Sequence, residues 1–228
     1  MNPEDTRIER NTFDLPVTAS ATVAPDSPKK TMPGILLDAA HGLIQPTERV
    51  FLWGMLQSLN FDYIRGVEIG TWKGTTMHVM RRACDELYCI DPEPQWTPTA
   101  EDVCRSGRPV DLITGYSPDA LKGIPTPFHF AFVDGDHCEE GVYRDGMALE
   151  PLMAKGGIIC FHDAYHPPVA AAIQRLVNDW TRQVDHYTHA CDTISKTPYG
   201  YFGGLAVFIV EAEEYTGPRE PAVNWQRA

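Results

Sequence analysis

The sequence predicts an α/β fold, a mostly parallel sheet with helices on both faces. Two observations carry that expectation. Between residues 65 and 180 short apolar runs alternate with helical stretches, the pattern of parallel strands joined by right-handed crossovers. Near the C-terminus "GGLAVFIVE" (203–211) reads as another strand, and no crossover helix separates it from "HACDTISKT" (189–197). Two terminal strands joined through "PYGYFGG" would form a hairpin and give the sheet an antiparallel edge element.

At 228 residues the chain is long enough for one such domain with a full core and an appended segment, and short for two. Residues 1–33, rich in Pro, Ser, Thr and charge and without a period, read as a flexible arm, which leaves 34–228 as the domain. "PTERVFLWGMLQSL" (46–59) opens on Pro46 and Thr47 and spaces Val50, Phe51, Met55, Leu56 and Leu59 at helical intervals. Strands are then expected at 65–70, 86–91, 109–114, 128–134 and 157–162. Helices are expected near 75–83, 118–121 (short), 139–153 and 169–180.

Composition excludes some partners. The formal charge is -12, from 19 Lys+Arg against 31 Asp+Glu, so a sequence-independent attraction to phosphate backbones is not expected and nucleic acid is a poor partner. No run of 18 apolar residues exists and the N-terminus lacks a basic start before an apolar stretch, so a soluble, cytoplasmic chain without a membrane partner is expected. Cys84, Cys89, Cys104, Cys138, Cys160 and Cys191 show no C-x-x-C spacing and read as reduced thiols. The sequence does not settle whether the chain is a homo-oligomer.

In an open α/β sheet ligands bind beyond the carboxyl ends of the strands, so the residues that end strands carry the weight. The first strand ends in Glu68-Ile69-Gly70-Thr71-Trp72-Lys73-Gly74, where Gly70 and Gly74 let backbone approach a ligand. The second ends at Asp91, 21 residues after Gly70, where an acid can accept hydrogen bonds from two ribose hydroxyls. Turn and acid together describe an adenosine site. A dinucleotide site wants G-x-G-x-x-G; this turn has E-x-G-x-x-x-G with bulky Trp72 inside it, which serves a diphosphate poorly. A cationic sulfonium nucleoside suits it better, because Glu68 can offset positive charge.

The segment resembles motif I of the class I S-adenosylmethionine-dependent methyltransferases. "GTWKGTT" is similar to the turn of the macrolide-sugar (macrocin and mycinamicin type) O-methyltransferases, and "AFVDGDHCEEGVYRDGMALEPLMAKGGIICFHDAYH" (131–166) resembles the same group more specifically. The resemblance spans roughly 65–210 and implies a Rossmann-like seven-stranded sheet with an antiparallel last strand. It implies that Glu68, Gly70 and Thr71 line the methionine part of S-adenosylmethionine, with Gly74 in the same turn, that Asp91 takes the ribose and that Ser117 approaches the adenine. Asp134, His162 and Asp163 match the metal positions of magnesium-dependent members, with Asp134 also beside the cofactor. His162 departs from the Asp-Asp, Glu-Asp or Asp-Asn pair usual there.

Methyl transfer to oxygen needs an in-line acceptor, and an alcohol is a poor nucleophile while it holds its proton. A divalent ion at Asp134, His162 and Asp163 would lower the acceptor's pKa, while Asp136 or His137 could take the proton, with Asp136 favoured because a carboxylate near a cation stays ionised. Carboxylate oxygens favour Mg2+ or Mn2+; the imidazole shifts the balance toward Mn2+, iron or zinc. The expected activity is O-methylation of a small-molecule hydroxyl of sugar, polyketide or phenol type. The alternatives are a non-catalytic S-adenosylmethionine-binding protein and a nicotinamide-dependent oxidoreductase. Plainer readings also stand: the glycines could serve only a tight strand-helix connection, Asp91 an ordinary turn, Asp136 a helix cap, and His162 a strand end. Trp72 could pack in the core or lie over the cofactor, and Tyr143, Arg144 and Asp145 read as a solvated helix face. Tyr165, His166, Tyr199 and Tyr201 sit in loops where an acceptor pocket would lie.

Overall fold

A computed structural model of the chain describes residues 44–95 and 110–211. The arm expected over 1–33, the residues up to 43, Cys104 and the chain after 211 lie outside these. The chain runs α1 (Pro46–Ser58), β1 (Arg65–Ile69), α2 (Thr75–Met80), β2 (Glu86–Asp91), β3 (Val110–Thr114), β4 (Phe128–Val133), α3 (Glu139–Leu149), β5 (Met153–His162), α4 (Pro167–Asp179), β6 (Val184–Cys191), β7 (Ser195–Thr197), β8 (Gly200–Phe202) and β9 (Leu205–Val210). Short 3₁₀ turns cover Asp119–Leu121 and Glu150–Leu152.

Seven strands form one sheet in the order β3-β2-β1-β4-β5-β9-β6, with β9 antiparallel to both neighbours. The pairs β3–β2, β2–β1, β1–β4 and β4–β5 are parallel. This is the expected seven-stranded, mostly parallel architecture with one antiparallel strand. Strand order reverses at β1, which has β2 on one side and β4 on the other, so a crevice opens beyond the ends of β1 and β4.

Both faces of the sheet's centre are covered, which is why β1, β2, β4 and β9 are buried without alternation, whereas the edge strand β6 alternates. Val67, Ile69, Ile159 and Phe161 pack with Leu149, Leu176 and Trp180 under α3 and α4. On the other face Phe130, Phe132, Cys89 and Cys160 pack with Leu52, Leu56, Met77 and Met80 under α1 and α2.

Three expectations shift. The buried stripe of α1 is Glu48, Arg49, Leu52, Trp53 and Leu56; of the residues expected on that face, Leu56 is buried, Phe51, Met55 and Leu59 pack partly buried beside it, and Val50 is exposed. The helix expected over 139–153 stops at Leu149; Pro151 cannot continue the backbone ladder, and Met153 already pairs with Phe128. The terminal strands are not joined directly. β6 begins at Val184, and the two-stranded hairpin β7–β8 stands between it and β9, closed by Thr197 Oγ1 bonding to the carbonyl of Gly200 and the N–H of Tyr199. The described cysteines are all free, and Cys138 alone among them is exposed. No helix among the described residues is long and apolar enough to cross a membrane.

Candidate active site

The turn after β1 is set by backbone. Gly70 has φ +90, and a Cβ there would lie 2.0 Å from the carbonyl oxygen of Asp134, so only glycine lets the ends of β1 and β4 come this close. Trp72 stands at φ +41, held where its N–H donates to Asp91 Oδ2 at 2.8 Å. The other oxygen, Oδ1, accepts from the N–H of Glu93, also at 2.8 Å. Asp91 is therefore the post on which both neighbouring loops hang, with lone pairs remaining on each oxygen. Gly74 at φ +74 starts α2. Lys73 Nζ lies 4.2 Å from the centre of the Trp72 ring, a cation–π contact at the rim.

These loops enclose a cavity of about 520 Å³, within the range of small-molecule and cofactor sites. Gly70, Thr71, Asp91, Ser117, Asp134 and Asp145 are among its walls. Thr71 Oγ1 and Ser117 Oγ are buried there beside the carboxyls of Glu68 and Asp145, without a well-aligned hydrogen bond to either. Glu68 and Gly74 do not line the cavity. Glu68 lies on the α1/α2 face of β1, and burial pushes its carboxyl up to about 8. Asp145 is buried in the cavity wall, which corrects its place on the expected solvated helix face, and burial raises its carboxyl to about 6; Arg144 borders the cavity and is exposed, as expected. Tyr143 is half-buried against the core, with its hydroxyl bonded to Asp179 and its ring under the Arg175 guanidinium.

At the opposite wall a charge cluster ends β4 and β5. Asp134, His162 and Asp163 each offer a ligand atom, all within 4.8 Å of one another. His162 Nδ1 lies 3.0 Å from Asp134 Oδ1, and its Nε2 lies 3.2 Å from Glu48 Oε2. His137 Nε2 lies 2.8 Å from Asp163 Oδ2 and 3.5 Å from Asp134 Oδ1. Asp163, at φ +55, also accepts from the N–H of Gly203 at 2.5 Å.

Burial alone would lower His162, but Asp134, Asp163 and Glu48 outweigh it and hold the imidazolium well above its ordinary value. Burial would likewise raise Asp163, yet hydrogen bonds from His137 and His162 hold it far below the usual carboxylate range. Hydrogen bonds to Asp134 and Asp163 carry His137 up to about 10. Asp136 is exposed, and its two oxygens accept from the N–H of Cys138 at 2.9 Å and its Sγ at 3.0 Å. That is the cap-like role of the plainer reading, although Asp136 also borders the cavity. Phe202 of β8 closes over this corner, stacked on His166 at 4.3 Å and edge-on to His137 at 6.1 Å; Tyr199 and Tyr201 point to solvent.

Glu48 is the residue that sequence reasoning missed. A signal existed: Glu48, Leu52 and Leu56 recur every four residues, one stripe of a helix with an acid on it.

Residues 67–164 match the family described as "Methyltransferase domain". An uncharacterized protein of Acanthamoeba polyphaga mimivirus is 29% identical over 135 residues, which are 52% of this chain; the chain spans 61% of that relative's length. Among solved structures, the O-methyltransferase TomG of Streptomyces achromogenes, involved in tomaymycin synthesis and bound to SAM, aligns with a TM-score of 0.57 at 16% identity, covering 80% of this chain and 92% of that one. An O-methyltransferase of Bacillus cereus in complex with SAH aligns at 0.55 and 18%, covering 75% and 83%. An rRNA methylase of Streptococcus thermophilus aligns at 0.54 and 13%, covering 75% and 100%. The fold is thus shared by enzymes with unlike acceptors, and it leaves the acceptor to be argued from the site.

Proposed function

We propose that this chain, a class I S-adenosylmethionine-dependent methyltransferase by domain match and fold, methylates a hydroxyl of a small molecule with the help of a divalent cation. The observation that carries the reading is the position of His137, whose Nε2 lies 2.8 Å from Asp163 and 3.5 Å from Asp134 at one wall of a cavity whose opposite wall holds Asp91.

The residues present fit both groups. For the cofactor, Asp91 offers lone pairs to a ribose, and the buried hydroxyls of Thr71 and Ser117 supply polar contacts along the cavity. Glu68 lies beneath the turn after β1 on the α1/α2 face, where burial favours its protonated form, so it supports the turn from below and is not a fixed negative charge at neutral pH. When bound, S-adenosylmethionine supplies the electrophilic methyl group. For the cation, two carboxylates and an imidazole converge within ligand range, and Asp134 opens toward the cavity. A divalent ion bound there supplies Lewis acidity that lowers the pKa of an acceptor hydroxyl; the carboxylates favour Mg2+ or Mn2+ and the imidazole admits Mn2+, iron or zinc.

His137 takes the acceptor's proton at Nε2 in this reading. With Asp134 and Asp163 free to pair with it, His137 is held protonated at neutral pH, and it becomes a base when those carboxylates are engaged elsewhere. Asp136 instead holds the turn that aims His137. Phe202 and His166 limit water at this corner and present flat faces to an acceptor. The net charge of -12 favours a small molecule over a nucleic acid.

The test is release of S-adenosylhomocysteine with sugar, polyketide and phenol acceptors, in Mg2+ or Mn2+ and after chelation. Turnover that chelation abolishes while S-adenosylhomocysteine still binds is the expected result. Binding without turnover on any acceptor would leave a non-catalytic binding protein.

A further inference from the structure

Glu48 lies on α1, before the segment that matches the methyltransferase family, and is fully buried. Its carboxylate is saturated. Oε2 accepts from the N–H of Gln45 at 2.7 Å and faces His162 Nε2 at 3.2 Å. Oε1 accepts from the N–H of Gly204 at 2.7 Å and from the hydroxyl of Thr193. A buried carboxylate with every site taken is fixed in place, and so is whatever it holds.

We propose that Glu48 is a positioning residue: it holds the Nε2–H of His162 and thereby turns Nδ1 toward Asp134 and Asp163, as the ligand atom of the cation site. The imidazole has two distinct nitrogens, and the hydrogen bond made by one decides which lone pair the other offers. His162 Nδ1 already lies 3.0 Å from Asp134 and 3.5 Å from Asp163, on the side where the three ligand atoms converge. Because Glu48 also binds Gly204 and Thr193, it ties that ring to the β6–β9 connection, which carries the β7–β8 hairpin over His137. This placement explains why the buried stripe of α1 contains an acid at all.

The inference rests on the cation reading given under Proposed function, and two measurements keep the two apart. Calorimetry with Mn2+ on the full chain is expected to show affinity reduced about 10–100-fold in Glu48→Met, with S-adenosylhomocysteine affinity within about twofold of wild type. Glu48→Gln keeps an acceptor for Nε2–H and is expected to lie between them. Proton–nitrogen correlation spectra, which need no metal, are expected to show a slowly exchanging Nε2–H on His162 that is lost in Glu48→Met. Unchanged Mn2+ affinity in a folded Glu48→Met, or a Nε2–H that persists there, overturns the proposal. A wild type that binds no Mn2+ overturns the cation reading, and the Nε2–H resonance then decides for or against Glu48 alone. If Glu48→Met does not fold, Glu48→Asp, which withdraws the carboxylate by one methylene, is expected to weaken Mn2+ binding about 3–10-fold and to speed Nε2–H exchange; wild-type values for both overturn the proposal.

Discussion

The two walls of the cavity are built by different means. On the β1–β2 side the geometry is made by main chain: the N–H groups of Trp72 and Glu93 hang on Asp91, and Gly70 and Gly74 take left-handed φ values. On the β4–β5 side it is made by side chains that bind one another, with His162 between Asp134 and Glu48 and His137 against Asp163. The first wall joins residues 2 and 19 positions apart; the second joins residues 26, 28 and 114 apart. A wall of backbone turns is specified by local sequence and resists substitution through sterics. A wall of buried charges exists only once the whole fold has closed, and its members depend on their partners for their protonation.

Replacing His137 tests the side-chain wall most severely. His137→Gln keeps the shape and removes the basicity, so turnover on a confirmed acceptor should fall by roughly 10²–10⁴ while S-adenosylhomocysteine affinity holds. Asp136→Asn, at the same turn, should cost far less, and the reverse ranking would return the role of base to Asp136.

The backbone wall should break differently, in stability before chemistry. Gly70→Ala drives a Cβ to within 2.0 Å of the Asp134 carbonyl and is expected to cost about 3–5 kcal/mol in a denaturant melt. Gly200→Ala shares a positive φ of +126 but meets nothing within 4 Å, so it should cost only about 1–2 kcal/mol. Equal losses would mean that the close approach of β1 and β4 does not matter.

Asp91→Ala strips the post from two loops and, on the proposed function, the acceptor from a ribose. S-adenosylhomocysteine affinity measured by calorimetry should weaken by ~1.5–3 kcal/mol, and Mn2+ affinity should stay near wild type, since the two walls share no hydrogen bond to this residue.

A pH-dependent effect lies beneath the turn. Glu68 has its folded pKa raised to about 8 from an ordinary 4.5, because burial disfavours the charged form. The stability that this proton brings is full below pH 4.5 and is lost as pH rises through 8. Glu68→Gln should therefore gain in melting temperature relative to wild type between pH 6 and 9, and a constant difference across that range would show that Glu68 does not titrate there.

Much of this was legible in the chain. The turn from Glu68 to Gly74, the acid at Asp91 and the cluster at 134–137 and 162–163 all lie at strand ends that apolar runs mark, and the parallel order follows from alternation. The apolar residues of α1 marked its face only in part, because Val50 stands outside the stripe that Glu48, Leu52 and Leu56 define while Phe51, Met55 and Leu59 flank it. Asp145 read as surface and proved to be cavity wall, since its helix packs over the end of β4.

Sequence alone determined what lies close along the chain: most of the elements, the glycines that a sharp turn requires, and the acids at the ends of β2, β4 and β5. Only the tertiary structure decided which distant groups meet. Hydrophobic patterning fixes how a helix lies on a sheet but carries no label for its partners, and hydrogen bonds over 114 residues have no local period to betray them. Thus the link from Glu48 to His162 came from packing that no short stretch encodes, whereas the hold of Asp136 on its own turn, through Cys138 two residues on, was within reach of the sequence.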